Sequence, residues 1–217
     1  CKMVSIAHLV KQWLKERAFI DEYLKEGLIN YGALAEKIQP EIEADLGKVK
    51  LLTIAMALRR YAETSKKEKV STPSFKNFEL SMKGNLCDVC VYKSPHLFKK
   101  LEEIYKLVDY NKGDTLNIIH GNHDVSILIN EKFETKLKNI LKGEKILHAE
   151  ENLVALTVKF GESVLYTPGV DFELIKQLVI ENVNLIEIVS SMIELSFIIN
   201  KKDASKGYRA LQEFIEK

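Results

Sequence analysis

The hydrophobic period of this sequence changes once, near residue 75, and that change divides the chain into two parts that must fold differently. Before it, apolar residues recur every three or four positions, which is typical of packed helices. After it, alternating segments typical of strands are interleaved with amphipathic segments, in the order strand-helix-strand-strand-helix twice over. Residues 66–74 are almost wholly polar and cannot bury a core, so we expect them to form a linker.

The repeated order predicts two ferredoxin-like βαββαβ modules, at residues 75–149 and 150–217, each an antiparallel sheet covered by helices on one face. We expect the first copy to open with a hairpin turning at Gly84-Asn85, since these residues supply the positive φ angles of a tight turn. Its last strand is expected at residues 145–149. The second copy ends with a helix and lacks a fourth strand, so its sheet edge must be short, covered, or completed by another segment or subunit.

The composition excludes several classes of protein. A formal net charge of +1 over 217 residues excludes a polyanion-binding surface spread over the whole molecule, but leaves room for a local basic patch. No run approaches about 18 apolar residues and no secretory signal opens the sequence, so we expect a soluble, cytoplasmic protein with no membrane partner. Three cysteines do not make a disulfide framework. Lysine outnumbers arginine by 28 to 4, which is typical of a heat-adapted or low-GC proteome.

The helical part, residues 1–65, contains a short helix, a break and a longer basic helix, which is the plan of a helix-turn-helix domain. We expect the short helix at residues 31–38, ended by Pro40, and the longer one at residues 48–63, with the hairpin at residues 75–92 as a wing. This winged-helix-like domain would bind double-stranded DNA. The expected DNA-binding residues are Lys37, Lys48, Lys50, Arg59 and Arg60.

A second interpretation of the helical part stays open. The outward face of its longer helix, with Thr53, Met56 and Ala57, is poor in groups that read base edges. The expected break between the two helices is also longer than a usual turn. On this interpretation the helical part is a dimerisation or structural domain.

Several short segments of the second copy occur in a recognisable order and spacing. They are Gly161, Pro168-Gly169-Val170, Asn182-Val183-Asn184-Leu185-Ile186, Ile188-Val189-Ser190-Ser191 and Leu195-Ser196-Phe197-Ile198-Ile199. Residues 150–217 thereby resemble the regulatory ACT domains of aspartate kinases, which carry two such modules in tandem. The first copy shares the order of elements with this family. Residues 1–63 lack a Gly-rich phosphate loop, so no kinase domain is expected there.

The resemblance implies a sensor for a small molecule, usually an amino acid, bound between paired modules. The loop before the first helix of the second copy ends at a helix N-terminus, where backbone N–H groups and the helix dipole attract a carboxylate. Asn184 and Glu187, on the neighbouring strand, are expected to hold an α-amino group. The candidate ligand-binding residues are Tyr166, Thr167, Pro168, Gly169, Val170, Asn184 and Glu187. The alternative is that Pro168-Gly169 only starts a helix and Asn184 only caps a strand.

Two short motifs resemble metal sites. Gly121-Asn122-His123-Asp124, next to His120, matches a signature of metal-dependent phosphoesterases, but that chemistry needs two metals held by several clusters of ligands, so we interpret the motif as a turn. Cys87-Asp88-Val89-Cys90 lies in a predicted strand, where residues three apart point to opposite faces, and no second pair exists to complete a zinc site. The sequence therefore predicts buried thiols and no metal, cofactor or catalytic residue.

The sequence as a whole predicts an α+β protein with a helical, winged-helix-like domain followed by two ACT-like modules. We expect a non-catalytic regulator that senses an amino acid, binds DNA through its helical domain and works as a homodimer. The alternative is a regulatory subunit that docks on an amino-acid biosynthetic enzyme and does not bind DNA. A hydrolase that uses the turn at His123 is a third, weaker option.

Overall fold

The computed structural model describes residues 5–65, 75, 77–161, 164 and 166–216, so the expected linker at 66–74 lies outside the described residues. The chain divides into two compact units, residues 1–72 and residues 73–217, which we name the helical unit and the sheet unit. Within the described ranges, no helix combines the length and the apolar composition that crossing a membrane requires.

The helical unit packs its described helices around one core. They are α1 (Ile6–Lys15), α2 (Ala18–Glu26), α3 (Tyr31–Leu46) and α4 (Leu51–Ser65). Ser5 caps α1 through a hydrogen bond from the His8 N–H, and the Asn30 side chain caps α3 by accepting from the N–H groups of Gly32 and Ala33, the second and third residues of that helix. Leu14 and Leu58 are fully buried where α1 and α4 meet the core.

Helix α3 continues through Pro40 to Leu46, so the expected end of this helix at Pro40 is wrong. A proline removes one backbone hydrogen bond from a helix interior. Ile38 and Ile42, on either side of it, are both buried in the same core, and this packing outweighs the lost bond. The break before α4 is therefore only residues 47–50, shorter than the sequence predicts.

Two side chains of α3 fix this short break. The Gln39 amide donates to the carbonyl of Val49 at 3.0 Å, and the Val49 N–H donates to the Glu43 carboxylate at 3.0 Å. The Gln39 amide also lies 3.0 Å from Glu43. The hydrogen bonds from Val49 and from Gln39 hold the pKa of Glu43 below its ordinary value. The turn between α3 and α4 thus has a defined geometry.

The sheet unit repeats the strand-helix-strand-strand-helix order that the sequence predicts. Its described strands are β1 (Glu79–Tyr92), β2 (Leu116–His120), β3 (Asp124–Asn130), β4 (Ile146–Lys159), β5 (Leu185–Ser190) and β6 (Glu194–Asn200). Its helices are α5 (Leu97–Tyr105), α6 (Glu134–Ile140), α7 (Val170–Ile180) and α8 (Ala204–Ile215). The strands form one antiparallel sheet in the order β2-β3-β1-β4-β6-β5. The first copy is therefore β1 to α6, and the second is β4 to α8.

Strands β1 and β4, of 14 residues each, lie side by side at the centre of the sheet. The expected hairpin at Gly84-Asn85 is wrong, because β1 passes through this dipeptide as a single strand and so provides no wing for the helical unit. Asn85 has a φ of 57° and marks a bulge at which the pairing with β4 shifts. Asn152, the seventh residue of β4 as Asn85 is of β1, has the same φ of 57° and marks the reciprocal bulge.

The bulges keep the helix-covered face of the sheet on one side. Leu80 packs into the core of the second copy, and Val89 lies in the core of the first. Simple alternation would place residues 80 and 89 on opposite faces of a strand. Because the bulge at Asn85 adds one residue between them, both side chains point toward the helices.

The two copies exchange strand segments. The first half of β4 serves as the fourth strand of the first copy, where Ile146 pairs with Val91. The first half of β1 does the same for the second copy, where Glu79 pairs with Lys159. The strand that the second copy lacks in its own sequence is thus residues 79–83 of the same chain. This exchange completes the sheet edge and joins the two copies into one sheet.

Apolar residues are buried on both faces of this sheet. Helices α5 and α6 cover the first copy, and helices α7 and α8 cover the second, each over its own cluster of buried side chains. The face without helices carries a smaller apolar cluster: Leu86, Leu128, Leu153, Ala155 and Ile198. We call this second surface the helix-free face.

Candidate functional site

The candidate ligand site lies at the end of the sheet where β4 leads into α7. Antiparallel pairing brings the end of β4, the start of β6 and the end of β5 to the same place: Lys159 pairs with Glu194, and Ser190 pairs with Leu195. The described residues of the connection between β4 and α7 (160, 161, 164 and 166–169) therefore lie beside the end of β5.

This connection is held by its own backbone. The Val164 N–H donates to the carbonyl of Gly161 at 3.0 Å, and the Thr167 N–H donates to the carbonyl of Val164 at 2.9 Å. Gly169 is the N-cap residue of α7, with a φ of 92°, and no side-chain hydrogen bond caps the helix. Glycine adopts this left-handed conformation readily. Gly169 itself therefore offers the first turn of α7 no side-chain acceptor, unlike the Ser, Thr, Asp or Asn residues that are common at this position.

An open pocket of about 380 Å³ lies between the connection, the first turn of α7 and the end of β5. Its size is in the range of small-ligand sites. The pocket is lined by Phe160, Val164, Thr167, Pro168, Gly169, Val170, Asp171, Phe172, Ser190 and Ser191. We call it the α7 pocket.

The α7 pocket combines a helix N-terminus, the hydroxyl groups of Thr167, Ser190 and Ser191, and one carboxylate. Asp171 is the only charged side chain among its described lining residues. The positive end of the helix dipole favours a bound carboxylate, whereas the Asp171 carboxylate favours a cation. Ser190 and Ser191 each offer a donor and an acceptor. A molecule that carries both a carboxylate and an ammonium group, as an amino acid does, matches this arrangement.

The matching position of the first copy is filled by its own side chains. Strand β1 reaches α5 through residues 93–96, whereas the connection from β4 to α7 is longer. The Ser94 hydroxyl accepts from the first N–H of α5 at 3.1 Å and donates to Glu144 at 2.6 Å. Lys100 pairs with Glu144 at 2.9 Å. The added length in the second copy therefore builds an open pocket where the first copy has a closed cap.

The structure brings part of the predicted ligand-binding set together. Thr167, Pro168, Gly169 and Val170 line the α7 pocket, whereas Tyr166 is 84% exposed and does not. Asn184 precedes β5 and lies at the opposite end of that strand from Ser190. Glu187 points to the helix-free face, where its carboxylate lies 2.9 Å from the Ser126 hydroxyl. Asn184 and Glu187 are therefore not pocket residues.

Sequence reasoning missed Ser190, Ser191 and Asp171 as pocket residues. The Ser190-Ser191 pair belongs to one of the segments that resemble the ACT domains of aspartate kinases. Neither serine was among the predicted ligand-binding residues. Only the pairing of β5 with β6, followed by the return of the chain beside β4, places the two serines opposite the first turn of α7. Asp171 could have been found from the sequence, because its carboxylate directly follows Pro168-Gly169-Val170, which were already candidate ligand-binding residues.

A second polar cluster lies on the helix-free face. The Ser126 hydroxyl is 2.5 Å from Asp88 and 2.9 Å from Glu187. Burial raises the pKa of Asp88 above its ordinary value, against the opposing effects of Ser126 and His148. Burial also raises the pKa of Glu187, and the nearby Asp88 and Asp124 add to that rise. None of these groups lines the α7 pocket.

The five predicted DNA-binding residues are all exposed on the helical unit: Lys37, Lys48, Lys50, Arg59 and Arg60. Arg59 donates to Glu63 at 2.9 Å, one turn along α4, so part of its charge is already paired. The same helix exposes two apolar side chains, Leu52 at 71% and Met56 at 58%. The outward surface of α4 therefore carries both basic and apolar side chains.

Both metal-like motifs have local structural roles. Residues 121–123 turn the chain between β2 and β3, and the His120 ring stacks on Phe98 with centroids 6.3 Å apart. Cys87 lies in the core of the first copy, where burial raises its pKa to about 12. Among the residues that the structure describes, no three His, Cys, Asp or Glu side chains are grouped so as to hold a metal ion.

The fold of the sheet unit is shared with aspartate kinase regulatory structures. A crystal structure of aspartokinase alpha and beta subunits matches 64% of this chain and 97% of that chain, with a TM-score of 0.52 and 17% identity. The regulatory subunit of aspartate kinase from Thermus flavus matches 64% of this chain and 97% of its own, at a TM-score of 0.50 and 13% identity. Clostridium acetobutylicum aspartate kinase matches 62% of this chain at a TM-score of 0.52 and 19% identity, but only 34% of the enzyme is covered.

These likenesses concern the fold. No family model matches the sequence, and no curated protein matches it. The sheet unit nevertheless has an ACT-like fold with helices on one face, as the sequence predicts, although its two copies share one antiparallel sheet and do not form two separate sheets. The matches include regulatory subunits of aspartate kinase. They give no support to a winged-helix domain in the helical unit.

Proposed function

We propose that this protein is a non-catalytic regulator whose sheet unit senses an amino acid at the α7 pocket. The regulatory subunits that share its fold support the general role. The observation that carries the proposal is the contrast between the copies. The first copy fills the space at the start of α5 with Ser94, Glu144 and Lys100, whereas the second has an open pocket beside Gly169 at the start of α7.

The proposed binding mode assigns one group to each part of the ligand. The ligand carboxylate accepts hydrogen bonds from the first turn of α7, where the dipole favours it. The ligand ammonium group pairs with Asp171, and Ser190 and Ser191 orient it by hydrogen bonds. The ligand thereby links the start of α7 to the end of β5. If it binds one arrangement of these elements better than another, it shifts the population toward that arrangement.

A thermal-shift screen of the twenty amino acids tests this proposal. A ligand that binds only the folded protein raises the melting temperature. At a ligand concentration of a hundred times its Kd, it adds about 2.7 kcal/mol to the free energy of unfolding. Asp171→Asn should abolish the shift, because it removes the partner of the ammonium group. Asp109→Asn in the first copy is the matched control, and should leave the shift unchanged. If no amino acid at millimolar concentration raises the melting temperature, the proposal of amino-acid sensing is wrong.

DNA binding by the helical unit is a second candidate function. The four-residue break between α3 and α4, with Lys48 and Lys50 exposed in it, supports a helix-turn-helix reading. An electrophoretic mobility shift with a salt titration tests it, because phosphate contacts make the affinity fall steeply as salt rises. Retention of full binding by Lys48→Gln/Lys50→Gln contradicts this reading. The alternative is a regulatory subunit that acts on an enzyme and does not contact DNA.

We also propose that the chain works as a homodimer. Helix α7 supports this, because Val179 and Ile180 near its end are 62% and 66% exposed. Exposed apolar side chains side by side favour an interface. Analytical ultracentrifugation of the wild type at micromolar concentration should give twice the monomer mass. The variant Val179→Glu should give the mass of the monomer.

A further inference from the structure

A groove along the helical unit has an apolar floor. It has a volume of about 470 Å³ and lies between α1 and α4. Helix α4 lines it from Thr53 to Ser65, at the spacing of one helix face, which is a length of about 18 Å. Met56 and Ala57 form the α4 side of the floor, and Ile6 and Ala7 form the α1 side. This surface is distinct from the buried stripe of α4 that packs into the core.

The charges around this groove are all of one sign. Lys11 and Arg60 are its charged lining residues, and no carboxylate lies among the described lining residues. His8 and Lys15 continue the basic surface along α1. The acidic side chains Glu16, Glu41 and Asp45 line a different pocket.

From this combination we infer that the groove between α1 and α4 binds an acidic amphipathic helix of a partner protein. The apolar floor takes the hydrophobic stripe of such a helix, because two neighbouring helices form a groove that a third can fill. Lys11 and Arg60 then face the carboxylates that flank the stripe. The inference concerns the helical unit alone and does not depend on ligand sensing by the sheet unit.

The groove fits a protein helix better than DNA. Phosphate contacts need cationic or hydrogen-bonding groups along the binding surface. Here Met56, 58% exposed, occupies the centre of the outward face of α4, and neighbouring Leu52 is 71% exposed. Exposed apolar side chains that lie next to one another are typical of surfaces that bind a protein partner. The basic groups border that surface without covering it.

Fluorescence anisotropy on the full chain tests the inference with a defined probe. The probe is a labelled peptide of about 16 residues, with leucines at helical spacing and glutamates at the other positions. A peptide of the same composition in shuffled order is its control. We expect the probe to bind at least about tenfold more tightly than the shuffled peptide, because only the probe presents a continuous apolar stripe.

Two exposed positions provide the variants. Met56→Glu places a charge in the floor, and Arg60→Gln removes a charge from the border; each should weaken binding of the probe at least about fivefold. Arg59→Gln makes the same charge change at the adjacent residue, which pairs with Glu63 outside the groove, and should change affinity less than about twofold. Circular dichroism confirms that each variant is folded.

Three results would overturn the inference. Equal affinity for the probe and the shuffled peptide shows that the groove does not read an amphipathic helix. Binding of a 20-base-pair duplex that is weakened by Arg60→Gln, without binding of the probe, assigns the surface to nucleic acid. Self-association that Met56→Glu abolishes, again without binding of the probe, assigns it to a second copy of the chain.

Discussion

The Glu187 carboxylate lies 2.9 Å from the Ser126 hydroxyl, although three strands separate β5 from β3 in the sheet. In a flat sheet these two strands would be about 19 Å apart, four spacings of roughly 4.8 Å. The contact therefore requires a strongly curled sheet, with the helix-free face on its concave side. Ile186 and Val189 of β5 pack against the apolar cluster on that side, so the curl buries apolar surface as well.

The Ser126 hydroxyl contacts more carboxyl groups than its single hydrogen can serve. It lies within hydrogen-bond distance of both Asp88 and Glu187, and Asp88 is only 5% exposed. A hydroxyl donates one hydrogen. When both carboxyl groups are ionised, one of them faces an oxygen lone pair. When one is protonated, it donates to the Ser126 oxygen and both contacts are satisfied. The geometry therefore favours a retained proton.

The first prediction concerns the pH dependence of stability. Burial raises the folded-state pKa of Asp88 and of Glu187 above their ordinary values near 4. A raised folded-state pKa means that the folded chain binds protons more tightly than the unfolded chain. The stabilisation that this proton binding gives is thus fully present below the pKa of the carboxyl groups in the unfolded chain. It is lost as pH rises through their pKa in the folded chain.

Urea unfolding of wild type and of Asp88→Asn/Glu187→Gln, from pH 4 to pH 8, measures this contribution. The difference in unfolding free energy, double variant minus wild type, should increase as pH rises across this range. Asp124 faces the same cluster and stays in both proteins, as do His148 and Cys90, so their titration is largely common to the two curves. A difference that is flat with pH contradicts proton retention.

The second prediction separates Ser126 from its counterpart in the other copy. Ser196 is the third residue of β6 as Ser126 is of β3, but its hydroxyl pairs with the Thr157 hydroxyl at 2.7 Å. Ser126→Ala leaves a buried carboxyl without its partner and should cost about 1–3 kcal/mol. Ser196→Ala removes a bond between two neutral groups and should cost about 1 kcal/mol. Equal costs that do not depend on pH would contradict the special role of Ser126.

The order of elements in the sheet unit is predictable from sequence, whereas the path of its two central strands is not. Alternating and helical periods identify β2, β3, β5, β6 and the helices, because the apolar residues within each of them recur at a short, regular spacing. Gly84-Asn85 has the residues of a hairpin turn, and local chemistry cannot distinguish a turn from a bulge at positive φ. Only pairing with β4, distant in sequence, decides between them.

The candidate site was predictable in part for the same reason. Residues 167–170 were identified because they are contiguous and precede a helix. Glu187 was misplaced because a bulge between Leu185 and Glu187 changes which face of β5 each side chain occupies. Ser190 and Ser191 reach the pocket through strand pairing, which sequence spacing does not reveal.

The third prediction tests the bulges. Asn85 and Asn152 both have a φ of 57°, a region that asparagine tolerates better than β-branched residues do. Asn85→Thr should destabilise the sheet unit by about 1–2 kcal/mol, and Asn85→Gly should change stability by less than about 0.5 kcal/mol. Asn122→Thr, in the turn between β2 and β3, is the control because Asn122 is not among the residues with positive φ. Thermal unfolding measures all three. Equal effects of Thr and Gly at position 85 would show that backbone strain is not the cause.

The fourth prediction concerns the packing of the last helix on the sheet. Gly207 is the fourth residue of α8, and the fourth residue of α6 is the fully buried Leu137. A Cβ at Gly207 would meet Leu156 at 3.0 Å and Ile199 at 3.2 Å, so this glycine allows α8 a close approach to the sheet. The same helix position thus holds a large buried side chain in the first copy and no side chain in the second.

Exchanging these residue types should consequently destabilise both copies by different mechanisms. Gly207→Leu overfills the core and should cost about 1–3 kcal/mol. Leu137→Gly leaves a cavity and weakens a helix, and should cost at least about 3 kcal/mol. Ser205→Leu, on the exposed side of α8, adds the same side chain and should shift stability by less than about 0.5 kcal/mol. If Gly207→Leu left the stability unchanged, α8 would have moved away from the sheet without a loss of stability. Close packing at Leu156 would then not fix the position of this helix.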